Sequence, residues 1–192
     1  MDDLLIISEP RPNRADALKN RELLLVTARR LFAERGVEGV PMSAVAEAAG
    51  VGKGTLYRNF ANKVELCTEL LDHDQRDLQE RSLKRLREGH SPSANLLWFM
   101  NEVFNFVIRN QELLLVGAGH IPTLDHPAHL WWRQTIRGLL AQIKPALNLD
   151  YLADLLYLML DVRSIRFQRR LYDDDVLRMT AHMNDAIRKL IS

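Results

Sequence analysis

A chain of 192 residues that is 47% apolar and 27% charged has the composition of a folded globular protein, with length enough to bury a core in one or two domains. Its single cysteine, Cys67, excludes an intrachain disulfide and a cysteine-based zinc site, and fits a reducing cytoplasm. The net charge of +1 says nothing about partners, but residues 11–63 hold ten Lys and Arg against five acids, a net of +5 that leaves −4 for the remainder. A basic N-terminal third is the footprint of a domain that meets a polyanion, although a solvated charged helix face has a similar composition.

No segment is long enough to span a bilayer: the longest strictly apolar run, LLYLML at 155–160, is flanked by Asp154 and Asp161. The opening MDD is acidic where an export signal is basic, so the apolar LLII that follows is not read as one.

The hydrophobic period is helical nearly throughout. A first helix is expected over 17–35, with Leu24, Ala28, Leu31 and Phe32 on one face and Gly36 as its stop. A second spans 42–49, where Met42, Val45, Ala46 and Ala49 recur at helical spacing, and a third, short one spans 53–60. Asn62 opens a long fourth helix that can continue to Gly89, its side chain capping free N–H groups while Glu65 reaches back. HSPS at 90–93 reads as a loop, and Asn95 to Arg109 as helix. A broken region with two glycines and two prolines runs from Gly117 to Pro127, and helices over 128–147, 150–170 and 174–191 complete the chain. The expected fold is all-α: a three-helix head at 11–63, followed by a larger helical body at 64–192.

The stretch AAGVGKGT at 48–55 has the glycines, lysine and threonine of a phosphate cradle. A Walker-type loop needs a preceding strand and a glycine where this chain has Glu47, and PMSAVAEAA is helical in period. A turn between two helices explains more of the residues. Gly50 stops the second helix, Val51 turns in to plug the core, and Gly52 starts the third. At 100° per residue, Leu56 and Phe60 then point to one side while Gly54, Thr55, Arg58 and Asn59 point to the other, with Lys53 and Tyr57 on a flank. That is the pattern of a helix-turn-helix reader of the major groove.

Residues 32–66, FAERGVEGVPMSAVAEAAGVGKGTLYRNFANKVEL, resemble the N-terminal domain of the TetR (tetracycline repressor) family of bacterial transcription regulators. The resemblance implies that Lys53, Gly54, Thr55, Arg58 and Asn59 lie along the groove and that Tyr57 and Lys63 contact phosphates. Arg58 has the donors for guanine, Asn59 matches adenine, and Gly54 permits close approach to a base edge. The plainer readings are that Tyr57 packs, that Thr55 bonds its own helix, and that Asn59 is a solvated surface residue. Two departures stand out. Pro41 occupies the position of a threonine that in the family commonly caps the second helix and touches a phosphate, with Ser43 as partial compensation, and Gly52 replaces a frequent serine. Arg11 and Arg14 precede the first helix as a minor-groove arm or a solvated tail.

Ten of the thirteen aromatic residues lie after residue 63. Each singly reads as packing, but together they leave room for an apolar effector pocket lined by Trp98, Phe99, Phe104, Trp131, Trp132 and Tyr157, in the body where the family places its effector. His120, Asp125, His126 and His129 have metal-ligand types, yet scattered loop histidines are the commoner case, and no metal or cofactor is assigned. Arg163 and Arg166 suit an acidic effector or salt bridges. The apolar residues Leu152, Leu155, Leu156, Met159 and Leu160, with Val176, Leu177, Met179, Met183, Ile187, Leu190 and Ile191, fit a homodimeric four-helix bundle or an intrachain core.

The expected function is a cytoplasmic, homodimeric transcriptional regulator, not an enzyme. It binds double-stranded DNA at a palindromic operator and is released as a repressor when a small, largely apolar effector tilts the fourth helix and moves Lys63. The alternatives are a helical carrier or enzyme with a vestigial head, or a DNA-binding regulator without an effector.

Overall fold

The second helix ends where Gly50 adopts a φ of 66°, a left-handed conformation that a side chain would strain. Around it the Val51 N–H reaches the Ala46 carbonyl and the Gly50 N–H the Glu47 carbonyl, each at 3.0 Å, satisfying two of the carbonyls a helix end leaves open. A second constraint acts at Gly39, where a Cβ would stand 2.7 Å from the Arg35 carbonyl oxygen, so the chain passes this turn only without a side chain. These two turns set the angles at which the first three helices meet.

The computed structural model describes residues 14–117, 127–144, 148–173 and 175–192. Among the described residues all regular secondary structure is helical, and the chain divides into two compact units, Met1–Leu66 and Cys67–Ser192. In the first lie α1 (Arg14–Arg35), α2 (Met42–Ala48), α3 (Lys53–Asn59) and the opening of α4 (Lys63–Arg87). The second holds the rest of α4, then α5 (Pro92–Arg109), α6 (Gln111–Gly117), α7 (Pro127–Ile143), α8 (Leu149–Leu158), α9 (Val162–Leu171) and α10 (Val176–Ile191).

The head core is the expected one. Leu24, Ala28, Leu31 and Phe32 of α1, Val45 and Ala46 of α2, and Leu56 and Phe60 are all buried. Val51, expected as a core plug, is only half-buried. Asn62 accepts the Glu65 N–H at 2.9 Å, and the Glu65 carboxylate accepts the Ala61 N–H at 2.6 Å, a reciprocal cap over the start of α4.

The body departs from the expectation at three places. Helix α5 begins three residues before Asn95, because Ser91 accepts the Ala94 N–H at 3.3 Å and Pro92 sits where a missing N–H does no harm. An additional helix, α6, follows α5 almost at once. The single helix expected over 150–170 is two, α8 and α9, because Asp161 caps a new start, accepting from the Arg163 and Ser164 N–H groups at 3.0 and 2.9 Å. Residues 118–126, within the expected broken region, and 145–147, the expected end of the helix over 128–147, lie outside the described residues.

The body core joins Phe99, Met100, Val103 and Phe104 of α5 to Trp132, Ile136, Leu139 and Leu140 of α7, with Leu156, Ile165, Met179, Met183 and Ile187 from the last three helices. On its surface Arg133 and Arg137 of α7 clasp Asp150 and Asp154 of α8, the Arg137–Asp150 contact at 2.9 Å. Hydrogen bonding from Arg137 holds the Asp150 carboxyl below the usual carboxylate range. Replacing Asp161 by Ala should cost about 0.5–2 kcal/mol in urea unfolding; an unchanged midpoint would show that the break between α8 and α9 does not depend on this cap.

Candidate functional site

Seven residues are too few for a helix that stands alone in water. Helix α3 is held by its inner side: Leu56 and Phe60 are both 0% exposed. Arg21 of α1 adds a tie that the sequence did not reveal. Its Nη1 donates to the Asn59 carbonyl at 2.9 Å, and its guanidinium lies 4.5 Å from the centre of the Phe60 ring. A cation at the last carbonyls of a helix is favourable on both hydrogen-bonding and dipole grounds.

With stability supplied from within, the outer side of α3 is open. Lys53, Gly54, Tyr57 and Arg58 are exposed, and Thr55 and Asn59 half-buried. The Arg58 guanidinium folds along its own helix, donating to the Gly54 carbonyl at 3.2 Å and to the Thr55 hydroxyl at 3.1 Å. Asn59 donates to the Thr55 carbonyl at 2.8 Å. Neither Lys53 nor Arg58 pairs with a carboxylate among the described residues. A Cβ placed on Gly54 would meet nothing within 4 Å. A glycine inside a helix costs about 0.5–1 kcal/mol relative to alanine, and no intramolecular contact requires this one.

Two expected contact residues have different surroundings. The Lys63 ammonium donates to the Val37 carbonyl at 2.8 Å and the Glu38 carbonyl at 3.4 Å, tying the first turn of α4 to the turn after α1. Ser43 is half-buried on α2, next to a Pro41 N-cap that makes no side-chain bond. Of the two arginines read as a minor-groove arm or a solvated tail, Arg11 lies outside the described residues.

In the body the aromatic residues mostly engage one another. Phe99 meets Trp131 edge to face, and Phe106 meets Trp132, each at 5.5 Å between ring centres. The Trp132 indole N–H donates to Gln75 at 3.1 Å, and His129 packs against both Trp132 and Tyr157. Burial first, then the nearby Asp161 charge, pushes the Tyr157 phenol up, and its hydroxyl shares a hydrogen bond with His129 Nδ1 at 2.5 Å. Trp98 lies under the Arg85 guanidinium, 5.5 Å from its ring centre. Of the six residues expected to line a pocket, only Phe104 reaches a cavity of about 170 Å³ whose other walls are Met159, Gln168, Tyr172, Met179, His182 and Met183. His120, Asp125 and His126 lie outside the described residues, and no group of three metal-ligating side chains occurs among the described ones. Among them, too, no helix is long and apolar enough to cross a membrane.

A short helix set at a sharp turn, anchored by two buried residues and presenting Lys, Gly, Thr and Arg outward, defines a helix-turn-helix protein with an all-helical body. Residues 24–70 match the family model for bacterial regulatory proteins of the tetR family. An HTH-type transcriptional regulator of Staphylococcus aureus (strain bovine RF122 / ET3-1) is 36% identical over 111 residues. That match takes in 56% of this chain and 58% of the relative's length. A TetR-family transcriptional regulator from Pectobacterium atrosepticum has a similar fold, with a TM-score of 0.71 at 20% identity over 93% of this chain and 95% of that one. The transcriptional regulator FadR from Bacillus subtilis, solved in complex with stearoyl-CoA, follows at a TM-score of 0.63 and 18% identity, over 89% and 97% of the two chains. At these identities the structural likeness concerns the fold. The head is thus similar to that of tetR-family bacterial regulatory proteins, and the chain has a fold similar to that of a TetR-family regulator.

Lys63→Met should lower the stability of the head by about 1–2 kcal/mol, since it removes a charged donor from two carbonyls. Thermal unfolding of the full chain reads this directly, and an unchanged head transition would show that the ammonium is not needed there.

Proposed function

We propose that this chain is a homodimeric transcriptional regulator that acts in the cytoplasm, reads a palindromic operator through α3 and responds to a small molecule bound in its body. The observation that carries the reading is Gly54: an exposed helical glycine with nothing of its own molecule to avoid, set between Lys53 and Thr55 and one turn from Arg58. Such a position serves a surface that must be approached closely from outside. Arg58 has the fork of donors that matches guanine, and the bonds it now makes to Gly54 and Thr55 are exposed and exchangeable for a base edge. Lys53 and Tyr57 stand at the edge of this face, suited to phosphates. Lys63 has one N–H left for a phosphate after its two carbonyls.

The body supports the remaining parts of the reading. FadR, with a similar fold, was solved with stearoyl-CoA, and the continuous α4 physically links the first turn at Lys63 to the helical body. Release of DNA by a ligand then follows ordinary linkage, each weakening the other by the same factor. For pairing, α9 and α10 offer Phe167 at 63% exposure, Leu171 at 60% and Leu177 at 83%, while Met179, Met183 and Ile187 of α10 are buried within their own body. An operator bound by such a two-fold dimer is a near-palindrome. A second reading, a helical carrier or enzyme with a vestigial head, draws on Pro41, which leaves α2 without a side-chain cap.

Gly54→Ala separates these readings. It should stabilise the head by about 0.5–1 kcal/mol while weakening specific DNA binding, whereas a vestigial head would gain stability and lose nothing. Arg58→Ala should cost about 1–3 kcal/mol in operator affinity and relax preference at one position per half-site. Losses equal on specific and random DNA would remove Arg58 from base readout.

Self-association is tested with Phe167→Glu and Leu177→Glu, which leave the buried face of α10 intact, rather than with a deletion of that helix. Sedimentation should show monomers that have lost specific binding; dimers of unchanged affinity would exclude this face.

A further inference from the structure

We propose that the cavity walled by α5, α9 and α10 is a ligand site for a single-ring molecule that carries a hydroxyl group. Its volume of about 170 Å³ is the first argument. A cavity of roughly 150 Å³ holds a benzene molecule, so one six-membered ring with a small substituent fits and a long acyl chain does not.

The lining is the second argument. Phe104 of α5, 2% exposed, forms the floor, and Met159, Met179 and Met183 supply three thioether side chains around it. Thioethers are polarisable, pack well against aromatic rings and adapt their shape to what they surround. A ring entering there would exchange solvent for contact with these apolar walls.

The third argument is polar. Gln168, Tyr172 and His182 border the same cavity, and none of their side-chain amide, hydroxyl or imidazole groups makes a hydrogen bond to a described residue. Two of the three are nonetheless held in place. His182 meets the Tyr172 ring edge to face at 5.3 Å, and the Arg178 guanidinium lies 5.2 Å from the centre of that ring. Side chains whose rings are fixed and whose polar ends are unengaged are preorganised to orient a ligand, which spares it the entropy of ordering them. His182 is exposed, so the cavity has a mouth to solvent. The class of ligand is thus a phenol-like ring, its apolar edge toward Phe104 and the methionines and its hydroxyl toward Gln168, Tyr172 or His182.

The inference rests on the regulator reading only for what occupancy would accomplish, and occupancy itself is tested on the DNA-free protein. The full chain, labelled with ¹³C at its methionine methyls, is titrated with phenol. The expected result is saturable shifts at Met159, Met179 and Met183 with one dissociation constant, while Met42 in the head stays put. Met159→Trp, made at a half-buried position, should fill the cavity and abolish saturation. Gln168→Leu should weaken phenol binding between about two- and tenfold if its amide takes part, and it keeps the test alive should the tryptophan variant fail to fold. Shifts that stay linear in phenol, or a Met159→Trp variant that binds as before, would each overturn the proposal. A parallel mobility-shift assay keeps the two ideas apart. Saturable phenol binding by a protein that binds no DNA sinks the regulator and leaves the cavity, whereas operator binding without phenol saturation sinks the cavity alone.

Discussion

Everything outward-facing on the head depends on how a seven-residue helix is held. Helix α3 starts at Gly52 with no side-chain cap and is too short to persist by itself. It is held by Leu56 and Phe60, both fully buried, and by the Arg21 guanidinium at its last carbonyl. Because these three fix its place, the opposite face is released from any structural duty. That is why it tolerates Gly54, a destabilising choice, and leaves Lys53 and Arg58 without carboxylate partners among the described residues. One side of these two turns of helix supplies the stability, and the other is left open.

How legible this was depended on the range of the interaction. Local signals read true. Gly36, Gly50 and Gly89 all carry positive φ at helix ends, and Asn62 with Glu65 forms its reciprocal cap. The period of Leu24, Ala28, Leu31 and Phe32 gave the core face of α1 directly. Arg21 could not be found this way, because its partner is a backbone carbonyl 38 residues further on, and a carbonyl leaves no mark in a sequence. Lys63 is the same case: the fold assigns it two carbonyls after α1, where its position beside a helix-turn-helix suggested phosphates alone. The break between α8 and α9 was hidden for a different reason. Apolar residues continue through Leu156 and Leu160 to Val162 and Ile165, so periodicity carries across, and only Asp161 with the two N–H groups it accepts marks the stop.

The body shows the limit of arguing from composition. An abundance of aromatic residues pointed toward a pocket, but Phe99, Phe106, Trp131 and Trp132 meet as edge-to-face pairs and His129 bridges Trp132 and Tyr157. Rings packed in that way contribute to the core through their mutual contacts, whether or not they also border a pocket. The cavity near α10 is walled chiefly by methionines and by polar residues from segments far apart in sequence, with Phe104 the shared member. A cavity is space that side chains leave unfilled. No residue type announces it.

Helix α10 then serves two sides, and this limits how the body can work. Met179, Met183 and Ile187 are core, two of them also walls of the cavity, while Leu177 stands 83% exposed on the other side. On α9 the same division separates Ile165 and Gln168 from Phe167 and Leu171. Interiors are close-packed, so a molecule entering against the inner side shifts the helix rather than compressing it. If the outer side pairs with a second copy, cavity occupancy and pairing share one rigid element, and any preference of the ligand for monomer or dimer must be matched by an equal change in self-association on binding. Coupling of that kind needs no long pathway: the two surfaces are opposite faces of the same helix, a diameter of about 10–12 Å apart.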